Sequence, residues 1–306
     1  MSIFISVASY RDPSLWPTVA DALAQAAQPS KLHFGVVDQS SEACEPPVEL
    51  VKQAGSVRYL HLHHRFSRGP CWARSIAASY CQEERYFLQI DSHMLFDRHW
   101  DRLLVEQLEA LSARNPRAII STYPSPYEMI DGQPVRKPFT GHALVLEPRP
   151  GTTLGEESPV LPFQSRPVRT RQAIPGFHVG AGCLFTRSAF IAEVPYDPWV
   201  YFHGEEQNLA VRAWTRGWDI HHVPDMPIYH LYHAGNGRAV HWAEGDDQSR
   251  PVRWWELERN SKARMRALLY HGADLGTYGL GSARSLAEFA EFSGIDYVNR
   301  TCKAVN

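Results

Sequence analysis

An α/β fold, with a mostly parallel central sheet and a small helical appendage at its C-terminal end, is the class this sequence predicts. Three observations carry the prediction. Over the first 125 residues, short apolar runs alternate with segments of helical period, as in parallel-sheet architectures. Residues capable of chemistry recur just past the C-terminal ends of those runs, where open parallel sheets place their ligands. Beyond about residue 250, Trp254 to Leu269 and Ser285 to Phe292 read as two helices with no strand pattern between them.

In chain order, Ile3 to Ala8 is a buried strand. Pro13 to Ala27 carries Leu15, Val19, Ala22, Leu23 and Ala26 at helical spacing, and Asp12 before Pro13 fits an N-cap followed by proline at the first helical position. Leu32 to Val37 is a second strand that ends at Asp38, and Val57 to Leu62 alternates as a third. Gly69-Pro70 opens a helix through Cys81. Tyr86 to Ile90 is a fourth strand, with Asp91-Ser92-His93 at its end. Trp100 to Leu111 is a helix and Ala118 to Thr122 a strand. Residues 124 to 175 are rich in proline and lose helical period, which predicts an irregular, loop-rich region with strand-like pieces such as His142 to Leu146. Gly180 to Phe185 then reads as a strand, Gly204 to Arg216 as a helix and Trp218 to Val223 as a strand.

The bulk numbers exclude several function classes. The 306 residues supply ample core for one large domain, or one domain with an appendage. A net charge of -2 offers no electrostatic case for nucleic acid or an anionic membrane. Five cysteines, an odd number without CxxC spacing, fit reduced thiols and predict a cytoplasmic location. The start Met1-Ser2-Ile3-Phe4 has no basic segment and too short an apolar run for a signal peptide. No window approaches 18 apolar residues, so no transmembrane segment is expected.

Asp91 and His93 are the first candidates for chemistry. Side chains at i and i+2 of an extended segment point to one side, so both can reach one ion past the strand end. A carboxylate with an imidazole suits a first-row divalent ion such as Mn²⁺ better than Ca²⁺. A capping aspartate with an incidental histidine is the competing structural reading. His230 and His233, in Ile228-Tyr229-His230-Leu231-Tyr232-His233, offer a distant third ligand; exposed histidines on an aromatic strand are the alternative. Glu205 and Glu206 follow Gly204 at a helix start. They serve there either as dipole-compensating carboxylates or as groups that face a substrate hydroxyl. Arg68 and Arg74 flank the Gly69-Pro70 helix start, where arginine and free N–H groups suit phosphate. Ser9, Tyr10, Arg11 and Asp38 end the first two strands at the same sheet edge, and Ser92 lies between the two candidate ligands.

These residues together resemble the nucleotide-sugar glycosyltransferases of the GT-A fold, and most closely the cytoplasmic hydroxyproline-polypeptide α-N-acetylglucosaminyltransferase family. The resemblance runs through Ser6-Val7-Ala8-Ser9-Tyr10-Arg11-Asp12-Pro13, Arg68-Gly69-Pro70-Cys71-Trp72-Ala73-Arg74, Gln89-Ile90-Asp91-Ser92-His93-Met94, Ser121-Thr122-Tyr123-Pro124, Val194-Pro195-Tyr196-Asp197-Pro198, Gly204-Glu205-Glu206 and Thr215-Arg216-Gly217-Trp218-Asp219, and ends near Tyr229-His230. The mucin-type polypeptide N-acetylgalactosaminyltransferases are also similar, at the DxH, at the glycine–glutamate helix start and at a third histidine. Here Glu205 and Glu206 are adjacent and the asparagine of that helix-start pattern is absent.

The resemblance implies a GT-A catalytic domain over residues 1–240; it does not reach further, and the two helices read beyond residue 250 predict a C-terminal helical extension over 241–306. It implies Mn²⁺ (or Mg²⁺) held by Asp91, His93 and His230 against the diphosphate of a UDP-sugar, with His233 beside the phosphates. Ser9, Tyr10, Arg11 and Asp38 would frame uridine, while Arg68, Arg74 and Ser92 would face the diphosphate. Glu205 or Glu206 would be the catalytic carboxylate. The expected reaction is transfer of a sugar, GlcNAc by resemblance, to an acceptor hydroxyl with retention. The acceptor would be a protein, a glycan or a lipid-linked molecule. A metal-dependent hydrolase and a non-catalytic carbohydrate-binding module on the same fold are the competing readings.

Overall fold

The computed structural model describes residues 1–232, 238–242 and 248–303. Four parallel strands form one half of an eight-stranded sheet: β1 (Ile3–Tyr10), β2 (Leu32–Gln39), β3 (Ser56–His61) and β4 (Tyr86–Asp91) lie side by side as β3-β2-β1-β4. Beside the helices α1 (Leu15–Gln25), α2 (Val48–Gln53) and α3 (Pro70–Ala78), these strands make the alternating units the sequence pattern predicts. The other half is mixed. Beyond the short strand β5 (Met94–Phe96) and the helix α4 (Trp100–Ser112) comes β6 (Ala118–Ser121). Between β4 and β6 lies β12 (Cys183–Arg187), antiparallel to both, and β13 (Asp219–His222) runs parallel to β6, with β11 (Ile174–Gly176) antiparallel at the edge. The reversed β12 and the edge strand β11 are the exceptions to the expected parallel run.

The proline-rich region is more regular than the sequence reading expected. It forms two hairpins, β7 (Ser125–Ile130) with β8 (Gln133–Arg136), and β9 (His142–Pro148) with β10 (Phe163–Arg169). Asp131 (φ 50°) and Gly132 (φ 74°) make the first turn, and an Asp-Gly pair between strands favours that two-residue connection. Pro134 lies on the sheet-edge strand β8, and Pro167 in a two-stranded ladder. Edges tolerate a residue that cannot donate a ladder hydrogen bond.

Alternation along β1 and β4 splits the core across the sheet. Ile3, Ile5, Val7, Leu88 and Ile90 pack with Leu15, Val19, Leu23, Trp100 and Leu104 of α1 and α4. Phe4 and Phe87 stack on the opposite face, 6.1 Å apart, in the core that includes Leu209 and Val211 of the helix α6 (Glu205–Thr215). The short helix α5 (Ala189–Glu193) contributes Phe190, which meets Trp218 edge-on. Met265, Leu268 and Leu269 of α7 (Trp254–Leu269) and Phe289 of α8 (Leu286–Ser293) belong to this same core. Most of the basic residues of α7 are paired internally: Arg264 binds Asp197, Arg266 binds Glu157 and Lys262 binds Glu258. No helix among the described residues is long and apolar enough to cross a membrane.

A second sheet positions the residues around Asp91. After β4 the chain bends at Ser92-His93 and enters β5, which pairs antiparallel with β14 (Ile228–His230) in the order β5-β14-β7-β8. The register places His230 opposite Met94, and the Leu231 N–H donates to the His93 carbonyl at 3.2 Å. Residues 137 apart in sequence thereby become neighbours.

Candidate active site

Asp91, His93 and His230 converge. His230 Nε2 lies 3.2 Å from Asp91 Oδ2 and 3.0 Å from His93 Nε2, and His93 Nε2 lies 4.0 Å from Asp91 Oδ2. They are the candidate metal-binding group of the described residues. Separations of this size are those of ligands that share one ion with bonds of about 2.1 Å. The donor set also fits. Burial opposes ionisation of Asp91, but the Arg74 guanidinium, the His230 hydrogen bond and His93 outweigh it and hold the carboxyl far below its usual range. Burial lowers the His230 pKa, which favours the neutral imidazole a metal requires.

Asp12 completes this arrangement. Its Oδ2 accepts from His93 Nδ1 at 2.7 Å and from the Ser92 hydroxyl at 2.7 Å, and its Oδ1 accepts from the Ser14 N–H at 2.9 Å. Although burial favours its protonated form, His93 and the other hydrogen bonds hold the Asp12 pKa down. A carboxylate cannot donate, so the proton between Asp12 and His93 is on Nδ1 and the Nε2 lone pair is left for an ion. Asp12 is therefore no N-cap: α1 begins at Leu15, after Ser14.

Arg74 ties the two halves of the site together. One guanidinium nitrogen is 2.5 Å from Asp91 Oδ1, and the other bonds Glu205 Oε1. The arginine is buried on α3, whose first residue follows Gly69. Gly69 has φ 93°, and a Cβ there would lie 2.6 Å from the Tyr201 ring. Burial pushes the Glu205 pKa up against the pull of Arg74. Gly182 closes the other side: a Cβ on it would sit 2.5 Å from Asp91 Oδ2.

A cavity of about 540 Å³ collects these groups. Ser9, Tyr10, Gln39 and Ser67 line it beside Asp12, Arg74, Asp91, Ser92, His93 and His230. Glu205 and Glu206 line it too, but their settings differ. Glu205 is buried against Arg74, whereas Glu206 is partly open and accepts from the Tyr123 hydroxyl at 2.5 Å and the Ala181 N–H at 2.8 Å, with His178 Nε2 at 3.4 Å. Near β1, the Gln39 amide donates to the Ser9 carbonyl at 3.1 Å and accepts from the Ser67 hydroxyl at 2.5 Å. Tyr10 meets the His241 ring edge-on at 5.1 Å and accepts from Arg250 at 2.5 Å.

Of the residues singled out in the sequence, the structure brings Ser9, Tyr10, Arg74, Asp91, Ser92, His93, Glu205, Glu206 and His230 to one cavity. It does not bring Arg11, Asp38 or Arg68 to that wall. Strand β2 runs on to Gln39 instead of ending at Asp38. Asp38 is buried on the other side of the strand, where it accepts from Ser40 at 2.7 Å and Tyr59 at 3.0 Å, and Gln39 takes the place at the cavity. Arg68 is exposed, and Arg11 sits in a left-handed turn (φ 48°) with its N–H on the Gln39 carbonyl. His233 lies outside the described residues. Sequence reasoning missed Asp12, Gln39, Tyr123, His178 and Gly182. Period-two alternation offered a signal for Gln39; the others become visible only when distant strands are brought together.

The family model described as Glycosyltransferase (GlcNAc) matches residues 2–54 and 48–299. No curated protein sequence matches the chain. Among solved structures, the chain superposes on "GalNAc-T7 with UDP, GalNAc and Mn2+" with a TM-score of 0.59 at 14% identity, covering 98% of this chain and 57% of that one. It superposes on TarS of S. aureus with a TM-score of 0.51 at 12% identity, covering 98% of this chain and 43% of that one. The chain thus spans a little over half the length of the first of these chains and less than half of the second. The similarity is one of fold: a mixed α/β architecture of GT-A type around a large, mostly parallel sheet.

Proposed function

Since the chain belongs to the Glycosyltransferase (GlcNAc) family, we propose that it transfers GlcNAc from UDP-GlcNAc to an acceptor hydroxyl, with retention at the anomeric carbon. The observation that carries this reading is the convergence of Asp91, His93 and His230 in the cavity that also holds Glu205 and Glu206. The GalNAc-T7 structure of related fold holds UDP and Mn²⁺, and the same pair of ligands suits this cavity. Asp91, His93 and His230 would hold Mn²⁺ or Mg²⁺. When bound, such an ion supplies positive charge against a diphosphate leaving group.

The protein's own residues would act as follows. Asp12 keeps His93 in the tautomer that presents Nε2. Arg74 positions Asp91 and Glu205 and, being paired with both, is a positioning residue before it is a phosphate ligand. Ser9, Tyr10 and Gln39 flank the uridine end. Glu206, the more open carboxylate, accepts a hydrogen bond from a sugar or acceptor hydroxyl. The acceptor oxygen bonds to the anomeric carbon while the carbon–oxygen bond to UDP breaks, and both electrons of that bond leave with the phosphate. The acceptor proton moves to a phosphate oxygen, so no separate strong base is needed. We also read residues 1–240 as the catalytic domain and 241–306 as a helical extension that completes it, since Arg250 reaches Tyr10.

Measuring UDP release from a panel of UDP-sugars with Mn²⁺ tests the donor. UDP-GlcNAc is expected to give the fastest release; a different preferred sugar, or no release, would overturn the assignment. An α linkage in the product by NMR supports retention, and a β linkage from the α donor refutes it.

A further inference from the structure

The cavity opens between three aromatic rings that the reaction described above does not use. Phe202 and Trp242 pack with centroids 4.8 Å apart, and His203 lies 5.0 Å from Phe202 and 6.1 Å from Trp242. All three line the cavity, and Phe202-His203 immediately precede Gly204-Glu205-Glu206. Phe202 and Trp242 are each 37% exposed, and the His203 side chain is 54% exposed. Single exposed aromatics need no explanation, but a contiguous group at the mouth of a catalytic cavity marks a binding surface.

His203 is also oriented. Its Nδ1 lies 3.1 Å from Glu258 Oε1, a buried carboxylate on α7 that Lys262 approaches at 3.2 Å. The carboxylate fixes the proton on Nδ1, so Nε2 is a hydrogen-bond acceptor for a hydroxyl donor. At the rings themselves, Phe202 and Trp242 offer an anion no positive charge. Aromatic faces beside one imidazole acceptor suit a ring with an apolar face and a rim of hydroxyls. Proline-rich peptides also dock on aromatic grooves; the oriented imidazole acceptor beside the rings is what favours a hydroxyl-rimmed ring here.

We propose that Phe202, His203 and Trp242 form an acceptor subsite for a neutral pyranose, which makes the acceptor a sugar hydroxyl on a glycan or glycoconjugate. This rests on the transferase reading of the adjoining site. The test is saturation-transfer NMR on the full chain with UDP and Mn²⁺, using neutral methyl glycosides and a hydroxyl-bearing peptide as probes. UDP affinity is measured in parallel by calorimetry.

At least one glycoside should receive saturation from the wild type. That signal should fall about tenfold in F202A and W242A and persist in W242F, with UDP affinity kept in all three. A wild type that binds UDP but no glycoside, or that transfers saturation to the peptide alone, would overturn the subsite and leave the donor site standing. Unchanged glycoside signal in both alanine variants would do the same. A wild type that binds no UDP would remove the donor reading, and the subsite with it.

Discussion

Asp12 accepts the Nδ1 proton of His93 at 2.7 Å, and this single hydrogen bond decides which nitrogen His93 turns toward His230 and Asp91. Outer carboxylates of this kind typically govern metal affinity about 10- to 100-fold. Asp12→Asn should therefore weaken Mn²⁺ binding within that range, by isothermal titration calorimetry, while circular dichroism stays unchanged. Equal affinity in the variant would show that Asp12 is only a structural anchor for Ser14 and Ser92.

Arg74 is the counter-charge for two carboxylates in a buried setting. To remove it leaves Asp91 and Glu205 unpaired, at a cost of about 3–5 kcal/mol. Arg74→Met should lose that much stability in urea unfolding. Adding Glu205→Gln to it should recover part of the loss, because one orphan charge is gone. If Arg74→Met unfolds at the wild-type midpoint, the arginine is not the clamp described here.

Gly182 has no room for a side chain beside Asp91, where a Cβ would stand 2.5 Å from Oδ2. Gly182→Ala should displace the carboxylate and lower Mn²⁺ affinity about tenfold or more, with a small effect on the thermal midpoint. A variant with normal metal affinity and a collapsed midpoint would place the importance of this glycine in packing instead.

The two adjacent glutamates should separate by assay. Glu206 is partly open and held by Tyr123 and Ala181, so Glu206→Gln should lower kcat about 10²-fold and leave stability near wild type. Glu205 is buried on Arg74, so Glu205→Gln should show chiefly in unfolding. The reverse pattern in turnover and denaturation would exchange their roles.

Much of this was legible in the sequence, for identifiable reasons. β1 to β4 announce themselves because they are short apolar runs between helices of clear period. Asp91 and His93 stand at a strand end, where alternation and topology already say that ligands bind. The Asp131-Gly132 turn was also readable, yet proline density masked it. Asp38 was misplaced by one residue of strand length: β2 continues to Gln39, and period two then turns the carboxylate away from the cavity. Asp12 looked like a helix cap because local sequence shows Pro13 next to it and not His93, which is 81 residues away. The reversed β12 and the proximity of Tyr123 to Glu206 depend on sheet order, which periodicity does not encode.

The most direct test of the account is UDP release from UDP-GlcNAc by metal-stripped protein, with Mn²⁺ titrated back into the wild type and His93→Ala. The account predicts that stripped wild type is inactive, that Mn²⁺ restores it, and that His93→Ala stays at least about 10²-fold slower at every metal concentration. Full turnover in the stripped wild type, or undiminished turnover in His93→Ala, would contradict it.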